Sequence, residues 1–192
     1  MNENASRSNL QCAATQRMFF ALWPDEEVRA AIAGLVSVLP LRGVRPIPPQ
    51  NIHATLVFLG SITRDTRRAL ECAVDDLRSR PFELVLDTRG WWRRPQVLWV
   101  GASTAPPELA QLVAGLKSAA AELGLKTDPR PYQPHVTIAR KVNRPTAVSA
   151  FQPIAWQVAD FCLVESVTGA GGAAYCARRS WSLADAEITL ER

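Results

Sequence analysis

Only two histidines occur in the 192-residue chain, and both stand in one pattern: His53-Ala54-Thr55-Leu56 and His135-Val136-Thr137-Ile138. Each reads H-x-T followed by a branched aliphatic residue. Threonine accounts for 11 of the 192 residues, so chance does not readily put it two places after both histidines. In a β-strand, residues i and i+2 share a face. Each motif therefore sets an imidazole beside a hydroxyl and sends the residue between them to the opposite, apolar side. Two such strands, in two related lobes, aim two imidazoles and two hydroxyls into one cleft around a small anion. Hydroxyls donate hydrogen bonds to phosphate oxygens. Imidazoles titrate near neutral pH, so one can act as base while the other acts as acid. Two other readings compete. A strand histidine is commonly a satisfied core residue, and imidazole is the commonest metal ligand. The matched pair disfavours the first, and the lack of an accompanying carboxylate or cysteine cluster disfavours the second.

The rest of the chain mixes strands and helices. Arg17–Leu22 (R-M-F-F-A-L) reads as a buried strand, after which Pro24, Asp25 and Glu26 open a helix whose acids suit its positive end. Val28, Ala31, Ile32, Leu35, Val36 and Leu39 recur at helical spacing. Ile52–Leu59 reads as a strand ended by Gly60, followed by a helix over Arg64–Arg80. Strands Phe82–Leu86 and Val97–Val100 flank the polar turn Arg93–Arg94–Pro95, and a third helix covers Glu108–Leu123. The Pro-rich loop Thr127–Pro134 leads into the strand His135–Ala139. Two long strands, Trp156–Val167 and Ala174–Leu183, close the chain around a loop with Gly169, Gly171 and Gly172. Without strict β-α alternation the expected class is α+β.

Met1–Gln16 is polar and lacks the apolar core of a signal peptide. It reads as a flexible tail before a single domain over 17–192. No apolar run approaches the roughly 18–20 residues that span a bilayer, so a cytoplasmic protein with no membrane partner is expected. Hydrophobic residues make up 47% and charged residues 21%, enough to bury a core. A net charge of +4 and a pI near 9.2 lean toward anionic partners such as RNA. The excess is arginine, the side chain suited to bidentate phosphate contact. Cys12, Cys72, Cys162 and Cys176 are far apart and form no C-x-x-C pair. They read as thiols in a reducing compartment, neither a zinc site nor a disulfide framework.

Several stretches, in order, resemble the 2H phosphoesterase superfamily, and within it the LigT-type RNA 2′,3′-cyclic phosphodiesterases, also described as bacterial 2′-5′ RNA ligases. They are R-M-F-F-A-L, N-I-H-A-T-L-V-F-L-G (Asn51–Gly60), W-W-R-R-P-Q-V-L-W-V-G (Trp91–Gly101), R-P-Y-Q-P-H-V-T-I-A-R (Arg130–Arg140), and L-V-E-S followed by Tyr175 and W-S-L. The resemblance covers about Arg17 to Leu183. It implies a bilobal fold of two pseudo-symmetric antiparallel-sheet lobes with outer helices and a central cleft. It also implies chemistry without a cofactor or metal: hydrolysis of a 2′,3′-cyclic phosphate to a 2′-phosphate. His53 would then be the proton donor to the leaving 3′ oxygen and His135 the proton acceptor that activates water. Thr55 and Thr137 would hold the non-bridging oxygens as charge builds. The motifs alone are nearly interchangeable and leave that assignment open.

Further residues are weighed beside these. Arg130, in the proline-stiffened lead-in, is a candidate phosphate contact. Arg140 reads as a structural ion pair. Tyr132, Trp91 and Trp92 are candidate stacking groups, with core packing as the alternative. Ser166 matches a serine of the family's closing strand. The expected partner is RNA with a 2′,3′-cyclic phosphate end, or a cyclic nucleotide, bound by a monomer. Reversible 2′-5′ ligation at the same site, and a non-catalytic RNA-end or nucleotide-binding module, remain alternatives.

Overall fold

Five consecutive buried residues, Met18–Leu22, mark a strand covered on both faces. In the computed structural model, which describes residues 15–37, 43–143, 150–169 and 172–184, this strand is β1 (Thr15–Leu22). It begins two residues inside the stretch expected to be a tail; residues 1–14, like Leu39 and the tip of the glycine loop, lie outside the described residues.

The remaining elements come in the order α1 (Glu26–Ser37), β2 (Arg45–Pro46), a 3-10 turn (Pro49–Asn51), β3 (Ala54–Thr63), α2 (Arg64–Asp75), β4 (Phe82–Leu86), β5 (Thr88–Trp92), β6 (Val97–Gly101), α3 (Pro107–Glu122), β7 (His135–Arg140), β8 (Ile154–Val158), β9 (Asp160–Gly169) and β10 (Gly172–Ser182). The class is α+β, as expected, with two antiparallel sheets. The larger runs β10-β9-β1-β3-β7-β6-β5, with β2 also paired to β7. The smaller is β4-β8.

The large sheet has two halves, β10-β9-β1-β3 and β7-β6-β5, that meet where β3 and β7 share one pair, Ala54↔Val136. Those are the middle residues of the two H-x-T motifs. The halves join at the motifs, and the cleft opens there.

The main core lies on the other face. Ala54, Leu56, Val136 and Ile138 pack with Val28 and Ile32 of α1, Leu70 and Val74 of α2, and Leu109, Leu112 and Leu116 of α3. Local chemistry sets the helix ends. The Asp25 carboxylate accepts from Val28 N (2.8 Å) and opens α1. The Thr63 hydroxyl accepts from Thr66 N (3.1 Å) and caps α2.

Three expectations are corrected. Helix α2 stops at Asp75 rather than near Arg80, because Asp75 and Asp76 put negative charge at the negative end of the helix. Trp181 Nε1 (2.8 Å) and Arg179 (2.6 Å) take up the Asp75 carboxylate instead. The stretch Thr88–Trp92 is a strand, hairpinned to β6. Gly90 sits there because the Trp99 indole lies across it; a Cβ would fall 2.1 Å from that ring. The long strand expected over Trp156–Val167 is two strands: β8 pairs with β4 and β9 with β1.

No helix among the described residues is long and apolar enough to cross a membrane.

Candidate active site

Both motifs are built alike. In each, the residue after threonine is a bulge. Phe20 pairs with Val57 and Ala21 with Thr55, leaving Leu56 unpaired. Leu98 pairs with Ala139 and Trp99 with Thr137, leaving Ile138 unpaired. A bulge reverses the facing of the residues beyond it. Leu56 and Ile138 stay on the core side at 4% and 0% exposed, and the residue after each, Val57 or Ala139, turns inward as well, at 3% and 0%. That is the physical content of the fourth motif position.

Each histidine is fixed in the same manner. His53 Nδ1 lies 2.7 Å from the Asn51 carbonyl oxygen, and His135 Nδ1 lies 2.8 Å from that of Gln133. A carbonyl only accepts, so Nδ1 carries the hydrogen and the neutral ring keeps its lone pair on Nε2. His53, Thr55, His135 and Thr137 all line one cleft of about 530 Å³.

The surroundings of the two rings differ. His53 stacks on Trp23 (centroids 5.2 Å apart, 6° between planes) and meets Phe19 at 5.1 Å and the edge of Tyr175 at 4.9 Å. His135 meets the edge of Trp92 at 4.6 Å and Trp99 at 6.4 Å. Beside Thr55 the neighbouring strand offers Ala21; beside Thr137 it offers Trp99, and beside His135 it offers Gly101.

A family model described as the 2′-5′ RNA ligase superfamily matches residues 24–170. The chain belongs to that superfamily. It is 33% identical to the RNA 2′,3′-cyclic phosphodiesterase of Escherichia coli, over 88% of this chain and 97% of that protein. The RNA 2′,3′-cyclic phosphodiesterase of Thermus thermophilus is 32% identical over 87% and 90%. The crystal structure of E. coli LigT with 3′-AMP superposes with a TM-score of 0.82, at 31% identity, over 90% of this chain and all of that one. The resemblance read from the paired motifs is thereby borne out, as is the LigT-like architecture.

Within this superfamily member, burial depresses both imidazoles. His53 is lowered from 6.5 to about 4, first by burial among the aromatic rings, then by the positive charges of Arg140 and His135; the Asn51 carbonyl opposes them. His135 is lowered by burial, against its Gln133 carbonyl. The free site therefore holds two neutral imidazoles at neutral pH, with the first proton favouring His135. An anion between the rings reverses the trend, because negative charge favours the protonated form.

The structure sorts the other candidates. Ser166 and Trp92 line the cleft. Arg130 does not: its side chain is 83% exposed, and its Nε donates to both Asp128 carboxylate oxygens at 3.0 Å. Trp91 does not: it packs on the core, and its Nε1 donates to the Val142 carbonyl at 2.7 Å. Tyr132 also packs on the core and donates to the Thr55 carbonyl at 3.1 Å, bracing the first motif from behind.

Arg140 is the reverse case. Instead of a structural ion pair its side chain lines the cleft, with no side-chain hydrogen bond or salt bridge to another of the described residues. Sequence reasoning also missed Phe19 and Trp23 as the seat of His53. The signal was available: Arg17, Phe19 and Ala21 alternate along one face of β1, and Trp23 follows in the same phase just past its end. No group of three or more His, Cys, Asp and Glu side chains among the described residues is placed to hold a metal ion.

Proposed function

We propose that the protein opens 2′,3′-cyclic phosphates at RNA ends, giving 2′-phosphates. One observation carries this reading: two half-sites of the same build, each an imidazole with Nδ1 tied to a carbonyl and a threonine beside it, face a single cleft. Such an arrangement supplies one acid and one base to one phosphorus. The curated relatives that match most of the chain carry this activity in their names.

In the proposed step, neutral His135 takes a proton from water through Nε2. The water oxygen bonds to phosphorus as the P–O3′ bond breaks. Protonated His53 gives its Nε2 proton to the departing O3′. The product holds its phosphate on O2′, and the two rings have exchanged protonation states. Thr55 and Thr137 donate to the non-bridging oxygens, where charge grows. Arg140, rather than Arg130, is the cation facing that charge. Both motifs come from one chain, so the site is complete in a monomer. The reading places the protein in the cytoplasm, among RNA fragments ending in cyclic phosphates.

The test is the product from 2′,3′-cyclic AMP. The expected product is 2′-AMP; 3′-AMP or no turnover overturns the proposal. Ligation is the same chemistry in reverse, with a 5′-hydroxyl RNA in place of water, and the name of the matched superfamily favours testing it. A joined product from two RNA halves, one ending in a cyclic phosphate, identifies it.

A further inference from the structure

The two H-x-T strands share one pair, Ala54↔Val136, and part on either side of it. A single pair does little to fix the angle between two strands or the spread of the side chains beyond it. Catalysis by two imidazoles on one phosphorus needs that spread held constant.

Further contacts cross between the halves, and they are reciprocal. The segment leading into the first motif runs along the second. Arg45 and Pro46 pair with Arg140 and Ala139, and Ile47 N donates to the Ile138 carbonyl at 3.0 Å. The segment leading into the second motif reaches the first. Tyr132, three residues before His135, donates its hydroxyl to the Thr55 carbonyl at 3.1 Å. Each motif is thus held by the lead-in of the other. The two braces differ in kind: one is a run of backbone, the other a single side-chain hydroxyl. Gln50, three residues before His53, is exposed and makes no such bond to the second motif.

The Tyr132 brace is anchored in the β7-β6-β5 half. Ala102 N donates to the Pro134 carbonyl at 3.4 Å, and the lead-in lies so close to β6 that a Cβ on Gly101 would fall 2.3 Å from that oxygen. Lys117 of α3 donates to the carbonyls of Asp128 at 2.8 Å and Arg130 at 3.3 Å. The Tyr132 ring packs on the main core. At the other end of the brace, Thr55 immediately precedes the bulge at Leu56, where the ladder itself constrains the strand least.

We propose that Tyr132 is a positioning residue: its hydroxyl sets the spacing between the His53–Thr55 half-site and the His135–Thr137 half-site, so that acid and base meet on one phosphorus. The inference rests on the cyclic-phosphodiesterase reading and deepens it. Either half alone can hold a phosphate, whereas proton transfer at both ends of one displacement needs both halves in register. Loss of the brace therefore falls on kcat more than on KM.

The test is Tyr132→Phe, which keeps the ring in the core and removes only the hydroxyl. On 2′,3′-cyclic AMP, kcat is expected to fall roughly 5- to 50-fold while KM stays within about twofold of wild type. Phe82→Leu, in β4 of the smaller sheet, loosens the same core without touching either motif strand; assayed well below its Tm, it should keep the wild-type kcat. NMR of the two histidine rings reports which half has moved. In Tyr132→Phe the His53 resonances should shift and those of His135 should stay in place. A wild-type kcat in Tyr132→Phe, an equal loss in Phe82→Leu, or equal displacement of both rings overturns the positioning role. If the wild-type protein opens no cyclic ester, the proposed activity fails separately, and inorganic phosphate then decides the brace alone. Phosphate should shift both rings in the wild type, and in Tyr132→Phe the His53 response should shrink while that of His135 persists; identical responses in the two proteins overturn the brace.

Discussion

The depressed basicity of His53 has a consequence for stability that can be measured without substrate. Its folded pKa is about 4 against 6.5 for the free side chain. Between those values the unfolded chain binds a proton that the folded chain does not, so stability is lost as pH falls through that window. A difference of about 2.5 pH units at 1.36 kcal/mol each is about 3 kcal/mol. The Trp23 face stacked on the ring offsets part of this, because a cation over indole gains roughly 0.5–1 kcal/mol. The expected loss attributable to His53 is therefore about 2–3 kcal/mol. The perturbation is His53→Gln, and the assay is urea unfolding of both proteins from pH 6.5 down to pH 4. The substitution shifts stability by a constant; only the slope bears on the pKa. The wild-type curve should fall about 2–3 kcal/mol further than the variant's across the window. With only two histidines, the ring resonances are assigned from the single variants, and the His53 midpoint can be read directly by NMR. Adenosine 3′-phosphate should raise it. Parallel stability curves, or a His53 midpoint at 6.5 or above in the free protein, would refute the reasoning.

Three further outcomes are expected. Arg140→Ala should lower kcat/KM by roughly 10- to 100-fold, as for loss of a charge-assisted phosphate contact of about 1.5–3 kcal/mol; Arg130→Ala should change it little, and the opposite ranking in a steady-state assay would restore Arg130 to the site. Turnover should persist in EDTA, since acid and base are side chains; loss on chelation with recovery on adding a divalent ion would replace this chemistry. A p-nitrophenyl phosphodiester, whose leaving group needs little protonation, should partly rescue the variant lacking the acid, His53→Ala, and not His135→Ala; rescue of the other variant would exchange the two roles.

The site's two motifs were legible because a period of two residues suffices to place an imidazole and a hydroxyl together. The residues one step further along each strand were not. Counting by twos from His53 and His135 sends Phe58 and Arg140 to the core side, and only the bulges at Leu56 and Ile138 reverse this. Arg130 seemed the better cation because prolines stiffen its loop, but Asp128, two residues earlier, claims its guanidinium. The same limit governs the fold. Trp156 and Val158 join the main core at even positions, and Phe161 and Leu163 at odd ones. The phase slips at Ala159, where one expected strand becomes two in different sheets. Thr88–Trp92 was hidden by Gly90, a poor strand residue in isolation, retained for the indole lying across it.

In the proposed mechanism the hydrolysis is not symmetric: at each turnover one imidazole must start protonated and the other neutral. Two identical half-sites would have no basis for choosing, and the H-x-T motifs with their carbonyl-bound Nδ1 atoms are nearly identical. The choice must come from what surrounds them. The β10-β9-β1-β3 half gives His53 an indole face, two further rings and low solvation; the β7-β6-β5 half gives His135 an indole edge and a glycine on the neighbouring strand. In the free protein this favours a proton on His135. The proton-donor role assigned to His53 therefore requires the bound anion to lift its basicity. The negative phosphate supplies that, drawn toward Arg140, whose positive charge helps to depress His53 in the empty site. Substrate binding and acid formation at His53 are then one event. Protonation of the wrong ring in the empty cleft has no catalytic cost, because the charge that decides the outcome arrives with the phosphate.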